Sequence, residues 1–329
     1  MIMRIVKNEN IENTDFNERR NSLVNLLLNR CIGFSMNSDL DDLLRNELQT
    51  LIKDFLAVLS NDAETNISAI RSFEALQDDE SRQIYACLFL CNIIKVYHGI
   101  GSIVFSKMVL LTLKNRLAEK GKNLSDYDNY DCNFFFNKQY FSLPQFKPSP
   151  ENKEIFIDCG AFDGSTIKDF VEYCDGNYDK IYSFEPIPSQ YENTLNNIKK
   201  WNIQNVELLQ KGVWSGDAVF NFSENNAGST ISAQGTIPVE VTAIDSVVSQ
   251  NENVTFIKMD IEGAEFEALK GAVNTIRRCK PKLAICIYHK PMDIIEIPII
   301  ILSIFPEYKF YIRHHYINVW ETVLYALPK

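Results

Sequence analysis

With 329 residues, 46% of them hydrophobic and 23% charged, the chain is long enough for a large core and for two domains. A formal net charge of -10 argues against general nucleic-acid binding, which needs a basic face to neutralise phosphates. The eight cysteines (Cys31, Cys87, Cys91, Cys132, Cys159, Cys174, Cys279, Cys286) form no C-x-x-C pair, which argues against a zinc site or disulfide framework and for reduced thiols.

The first residues are polar and charged with no secretory pattern, and the longest apolar run, 297–305, contains Pro298 and is too short to span a bilayer. The expectation is a soluble, cytoplasmic protein without a membrane span. From about Phe16 to Leu124 the periodicity is helical. Leu40, Leu43, Leu44, Leu48, Leu51, Ile52, Phe55 and Leu59 make an i, i+3/i+4 stripe over 39–59, capped by Ser38 or Asp39. Further helices are expected over 81–98, broken by Gly99 and Gly101, and over 103–120, ending at Gly121. No strand pattern interrupts this stretch, so 1–124 reads as an all-helical N-terminal domain.

Residues 125–152 change character. Aromatic residues (Tyr127, Tyr130, Phe134, Phe135, Phe136, Tyr140, Phe141, Phe146) precede Pro144, Pro148 and Pro150 in a segment read as a linker packed across a domain junction, or as a lid over a substrate.

From Glu154 onward strand and helix patterns alternate. Strands are expected at 154–159, 180–185, 206–211, 254–260 and 282–287, and helices at 165–174, 189–200, 264–278 and 293–305. Segment 218–222 reads as a hairpin partner of strand 206–211, and 238–244 alternates like a strand. Two closing strands, 308–313 and 319–327, have no helix between them. The pattern implies an α/β domain over 153–329 with a mostly parallel, Rossmann-like sheet and a terminal antiparallel strand pair.

The apolar run Ile155–Ile157 ends in Asp158 and a glycine turn, D-C-G-A-F-D-G, before a helix start. Such a turn at the carboxyl end of a parallel strand is a ligand site. No lysine follows Gly164, which excludes a mononucleotide P-loop, and the absent middle glycine weakens a dinucleotide reading and with it an NAD-dependent oxidoreductase. S-adenosylmethionine (SAM) binds the same fold with an acidic residue ending the next strand, and Glu185 in S-F-E-P stands there, able to accept both ribose hydroxyls.

The chain here resembles the FkbM family of SAM-dependent methyltransferases. The resemblance rests on D-C-G-A-F-D-G, Y-S-F-E-P, F-I-K-M-D-I-E-G-A-E, K-P-K-L-A-I-C-I-Y-H-K-P, and R-H-H followed by E-T-V-L-Y-A, in that order over 154–328. It implies a class I methyltransferase sheet, SAM as cofactor, and methyl transfer to a hydroxyl of a sugar or polyketide-type acceptor. The helical extension resembles those on members from bacterial capsule or surface-glycan pathways. A nucleotide-linked sugar is therefore one expected acceptor, and a homo-oligomer one expected assembly. The alternatives are another acceptor (an N-nucleophile or a lipid-linked glycan) and a non-catalytic SAM-fold assembly module.

On this reading Asp158, Gly160, Ala161 and Gly164 surround the methionine part of SAM, with Asp158 facing its ammonium. Glu185 holds the ribose, and Gly212 and Val213 lie near the adenine, with Trp214 as a stacking platform. Asp260, Glu262 and Glu265 follow a buried strand into the same cleft, where they orient the acceptor, assist a base or bind magnesium, a hard cation suited to oxygen ligands. Glu265 has a competing role as a helix-start acid. His289 is the expected general base, because a free imidazole takes a proton near neutrality. His314 and His315 are candidates to reach the cleft, and Arg313 to pair with an anionic acceptor. His98 reads as a helix-end residue.

Overall fold

The computed structural model describes residues 63–82, 84, 85, 88, 138–225, 228–231, 237–315 and 321–329. The helices expected over 16–59 and 103–120, His98, and the aromatics from Tyr127 to Phe136 lie outside the described residues, as do Cys31, Cys87, Cys91 and Cys132.

The described elements follow in chain order. Helix α1 (Ala63–Glu74) comes first, followed by a single 3-10 turn (Gln139–Phe141). Then come β1 (Glu154–Cys159), α2 (Ser165–Tyr173), β2 (Tyr178–Phe184), α3 (Pro188–Lys200) and β3 (Val206–Leu209). A run of short strands follows: β4 (Gly212–Val213), β5 (Ala218–Asn225), β6 (Gly228–Ile231) and β7 (Ile237–Thr242), then α4 (Ile244–Val247). The chain closes with β8 (Phe256–Met259), α5 (Glu265–Lys270), α6 (Val273–Cys279), β9 (Lys282–Cys286), α7 (Asp293–Ile304), β10 (Lys309–His314) and β11 (Thr322–Leu327).

Seven strands form the central sheet in the order β10-β11-β9-β8-β1-β2-β3. Strands β3, β2, β1, β8 and β9 run parallel, and β11 is inserted antiparallel between β9 and β10. The expected terminal pair is present, and it completes the sheet rather than standing apart.

Every residue of β1 and β8 is buried, because both faces of the sheet are covered. Alternate side chains go to opposite sides. Ile155 and Ile157 join a core with Leu269, Ile276 and the isoleucines of α7, whereas Phe156 joins Phe141, Phe146, Phe170 and Ile198. Phe156 stacks on Phe170 at 4.3 Å between ring centroids. Burying a side chain of this size contributes about 2–3 kcal/mol. The 3-10 turn and Phe146 thus belong to the core of the α/β domain, so the second half of the aromatic segment is packed against the sheet.

Two expectations change. Segment 218–225 does not form a hairpin with 206–209; β5 pairs with β6 and β7 in a separate four-stranded sheet, order β4-β7-β5-β6. The helix expected over 264–278 is two helices. At Gly271 a Cβ would stand 2.0 Å from the carbonyl oxygen of Trp214, and the Asp245 carboxylate accepts the N–H groups of Asn274 and Thr275 to start α6 afresh. Among the described residues no helix is long and apolar enough to cross a membrane.

Candidate active site

Strands β1 and β8 are neighbours at the centre of the sheet, where the strand order reverses. Loops leaving their carboxyl ends therefore diverge and leave a crevice, the ligand position of open α/β sheets. The glycine turn follows β1, and Asp260 follows β8.

The turn is held from three sides. Gly160 and Ala161 donate their N–H groups to the Phe184 carbonyl, and Gly160, at φ 87°, has the Asp260 carbonyl against its bare Cα. Gly164, at φ 82°, starts α2 with Thr194 and Trp201 packed on it. The two glycines are thus explained first by the close approach of protein backbone and side chains. Between them Phe162 also has positive φ, 54°, and is 64% exposed, an unusual placement for a bulky apolar residue.

Glu185 directly follows β2 and is buried. Its Oε2 accepts the Phe162 N–H at 2.9 Å and its Oε1 the Ile187 N–H at 3.0 Å. Burial raises its pKa, against the pull of these two bonds. Each oxygen retains a lone pair, so the residue fits a ribose diol while also fixing the turn. Gly212 lies 3.8 Å, as measured from a Cβ placed on it, from the Pro186 side chain beside Glu185, and Val213 is buried next to it. Trp214 is partly buried and packs edge-on against Phe220 beside the small core of the second sheet, the placement of a packing tryptophan.

Asp158 does not open toward a ligand ammonium. It is fully buried, its Oδ1 lies 3.2 Å from Lys258 Nζ, and Ser183 donates to its Oδ2. The Lys258 ammonium in turn donates to the carbonyls of Gly160 (2.6 Å) and Cys159 (3.2 Å). Burial alone would lower the lysine's pKa, and Asp158 with Asp260 more than offsets it, so the ammonium stays charged. Lys258 is a residue that sequence reasoning missed. Its signal was available: one lysine within the apolar run F-I-K-M needs a buried counter-charge.

Across the crevice stand Asp260, Glu262, Glu265 and His289. Tyr140 donates to Asp260 Oδ2 at 2.6 Å and Tyr288 to Oδ1 at 3.3 Å. Burial would raise the Asp260 pKa, but Lys258, His289 and the two tyrosines hold it below the usual value. Glu265, 0% exposed, accepts the Ile261 N–H at 2.9 Å and lies 3.0 Å from His289 Nδ1, so it serves both the loop before α5 and the imidazole. His289 Nε2 lies 3.4 Å from Asp260 Oδ1 and 3.7 Å from Glu262 Oε2. Glu262, at φ 56°, has a side chain 46% exposed and is the open member of the group. Burial, joined by the charges of Asp260 and Glu265, raises its pKa.

The reading of His289 as an imidazole free to accept a proton near neutrality does not fit these surroundings. Burial opposes the charge, but Glu265, Asp260 and Glu262 push the pKa up to about 9, so without another cation the ring rests protonated. Asp293, pushed up to about 7 by burial and by Glu265, lies behind the same corner.

Arg313, His314 and His315 are not part of it. Arg313 pairs with Asp78 at 2.6 Å and Glu80 at 3.2 Å, so it fastens the segment after α1 rather than meeting an anionic acceptor. His314 Nδ1 lies 2.7 Å from Thr322 Oγ1 and His315 Nε2 2.7 Å from the Tyr325 hydroxyl, both buried. Tyr325 also donates to the carbonyl of Gln139, next to Tyr140, and Gln139 donates to Glu321.

A family model described as the methyltransferase FkbM domain matches residues 158–315. No curated protein matches the chain. Among solved structures, the methyltransferase FkbM from Methylobacillus flagellatus KT aligns over 80% of this chain at 22% identity with a TM-score of 0.57, and the chain spans 59% of that protein. An rRNA methylase from Streptococcus thermophilus aligns over 62% of this chain and 97% of its own, at 14% identity and a TM-score of 0.37. Fibrillarin from Aeropyrum pernix, solved with S-adenosyl-L-methionine, aligns over 59% of this chain and 74% of its own, at 12% identity and a TM-score of 0.37.

Proposed function

We propose that this chain, whose residues 158–315 belong to the FkbM methyltransferase family, transfers a methyl group from SAM to a hydroxyl of a carbohydrate acceptor. The observation that carries the reading is the pairing of two unlike sites across one crevice. Glu185 and the glycine turn lie on one side, and the carboxylate-rich corner of Asp260, Glu262 and Glu265 on the other, joined where Gly160 meets the Asp260 carbonyl.

SAM supplies an electrophilic methyl carbon. The protein's part is to fix donor and acceptor in line and to take the hydroxyl proton. Glu185 takes the ribose hydroxyls. Lys258 keeps the turn in shape through the Gly160 and Cys159 carbonyls. Asp260, held by Tyr140 and Tyr288, accepts a hydrogen bond from a sugar hydroxyl, and carboxylates in this number suit a polyol better than an apolar acceptor. The acceptor oxygen bonds to the methyl carbon as the carbon–sulfur bond breaks toward sulfur, and the proton passes to Glu262, the exposed carboxylate of the group. With Arg313 taken up by Asp78 and Glu80, no residue is assigned to a diphosphate, so free and nucleotide-linked sugars are separate arms of the test.

The deciding measurement is calorimetric titration with SAM beside an NAD control, followed by a screen of free and nucleotide-linked sugars with SAM read by mass spectrometry. Binding of SAM and the gain of one methyl group by a sugar support the proposal. Failure to bind SAM at submillimolar concentration overturns it.

A further inference from the structure

We infer that Asp260, Glu265 and His289 hold a divalent first-row transition-metal ion. The three residues come from different places: the loop after β8, the first position of α5 and the loop after β9. Each brings one ligand atom into a set whose members lie within 4.8 Å of one another, a grouping found among the described residues. Ligands on opposite sides of an ion with bonds of about 2.1 Å are about 4.2 Å apart, so closure by a few tenths of an ångström seats one.

A second observation points the same way. Glu265 Oε2 is buried without a hydrogen bond, and so are both ring nitrogens of His289, whose side chain is 8% exposed. The contacts of His289 with Glu265 and Asp260 bring charges together without the alignment of a hydrogen bond. The buried atoms without bonds in this corner are thus atoms that can offer an electron pair to a metal. The outer contacts also suit an ion. Tyr140 and Tyr288 hydroxyls orient the Asp260 carboxylate, and the Ile261 N–H orients Glu265, as the surroundings of metal ligands do.

The donor set also selects the ion. Carboxylates alone would favour magnesium, which prefers oxygen and keeps its waters. The imidazole turns the preference toward manganese, iron or zinc. Three protein ligands leave coordination positions open, and Glu262 stands 3.7 Å from His289 Nε2 as a further oxygen on the open side.

The test uses the full chain stripped with EDTA and titrated with manganese alone, followed by calorimetry and electron paramagnetic resonance, with magnesium as comparator. One manganese per chain, about tenfold tighter binding than magnesium, nitrogen coupling from a coordinated imidazole, and about tenfold weaker binding in Asp260→Asn and His289→Asn are expected. No saturable binding, or undiminished binding in folded variants, overturns the site. Should the variants not fold, a wild-type spectrum without nitrogen coupling overturns it equally. The inference does not depend on the methyl donor: a chain that binds manganese but not SAM keeps this site and loses the proposed function.

Discussion

Gly160 and Asp260 meet backbone to backbone where the loops after β1 and β8 part. A Cβ on Gly160 would stand 2.0 Å from the Asp260 carbonyl oxygen, closer than any side chain can sit. The two halves of the crevice are thus set against each other by a contact that only glycine permits.

Gly160→Ala combines this overlap with a φ of 87°, and the obstructing atom belongs to backbone, which cannot swing aside. A loss of about 3 kcal/mol or more is expected, with SAM binding impaired in whatever fraction folds. Gly176→Ala is the control. Its φ is 72° with nothing within 4 Å of the added carbon, so only the backbone penalty of about 1 kcal/mol applies. Denaturant unfolding of both variants checks the ranking, and equal losses would refute the role of the contact.

Lys258 and Asp158 form an ion pair with 2% and 0% of their side chains exposed. Lys258→Met strands a buried carboxylate and is expected to cost about 3–5 kcal/mol. Adding Asp158→Asn to that variant removes the stranded charge and should recover a good part of the loss, as a double-mutant cycle by urea unfolding will read. Simple additivity of the two changes would show that the pair is not coupled.

The sheet was legible because strands buried on both faces read as apolar runs, and 154–159, 254–260 and 282–287 announce themselves this way. The second sheet was not. β4 has two residues and β6 four, too few for a period to register. The break at Gly271 depends on the Trp214 carbonyl, far away in the chain. Of the candidate site, Asp260 and His289 were visible as strand-end residues and Glu262 and Glu265 as helix-start acids, and the four lie together. The protonation of His289 was not visible, because it is set by the carboxylates of Glu265, Asp260 and Glu262 that the fold gathers round the ring. Arg313 was misread because its partner Asp78 is 235 positions away. Tyr140 was seen only as one aromatic among many, since nothing local reveals that its hydroxyl reaches Asp260.

Tyr140→Phe deletes that hydroxyl and keeps the ring in the core. The lost bond to an ionised carboxylate is worth about 1.5–3 kcal/mol at its site. If Tyr140 orients Asp260 toward the acceptor, kcat falls about tenfold or more, with SAM affinity unchanged. Steady-state kinetics with the acceptor found by the sugar screen, beside SAM calorimetry, make the check. A fall in SAM affinity with unchanged kcat would place Tyr140 on the donor side instead.

The Arg313–Asp78 pair ties the segment following α1 to β10, and its stability contribution has a definite pH signature. Burial pushes the Asp78 carboxyl up, but Arg313 and Ser81 outweigh burial and hold it below its ordinary value. A carboxyl with a lowered folded pKa binds protons less readily in the native state than in the unfolded chain. The stabilisation is therefore fully present above the unfolded value of about 3.9 and is lost as pH falls through the folded value beneath it. Arg313→Met should destabilise the protein at about pH 7, and its difference from wild type should shrink as the pH is lowered below about 4. Thermal unfolding of Arg313→Met, Asp78→Asn and the double variant across that range is the measurement. A coupling that stays constant into acid would mean that packing of the arginine, and not its charge, fastens the two segments.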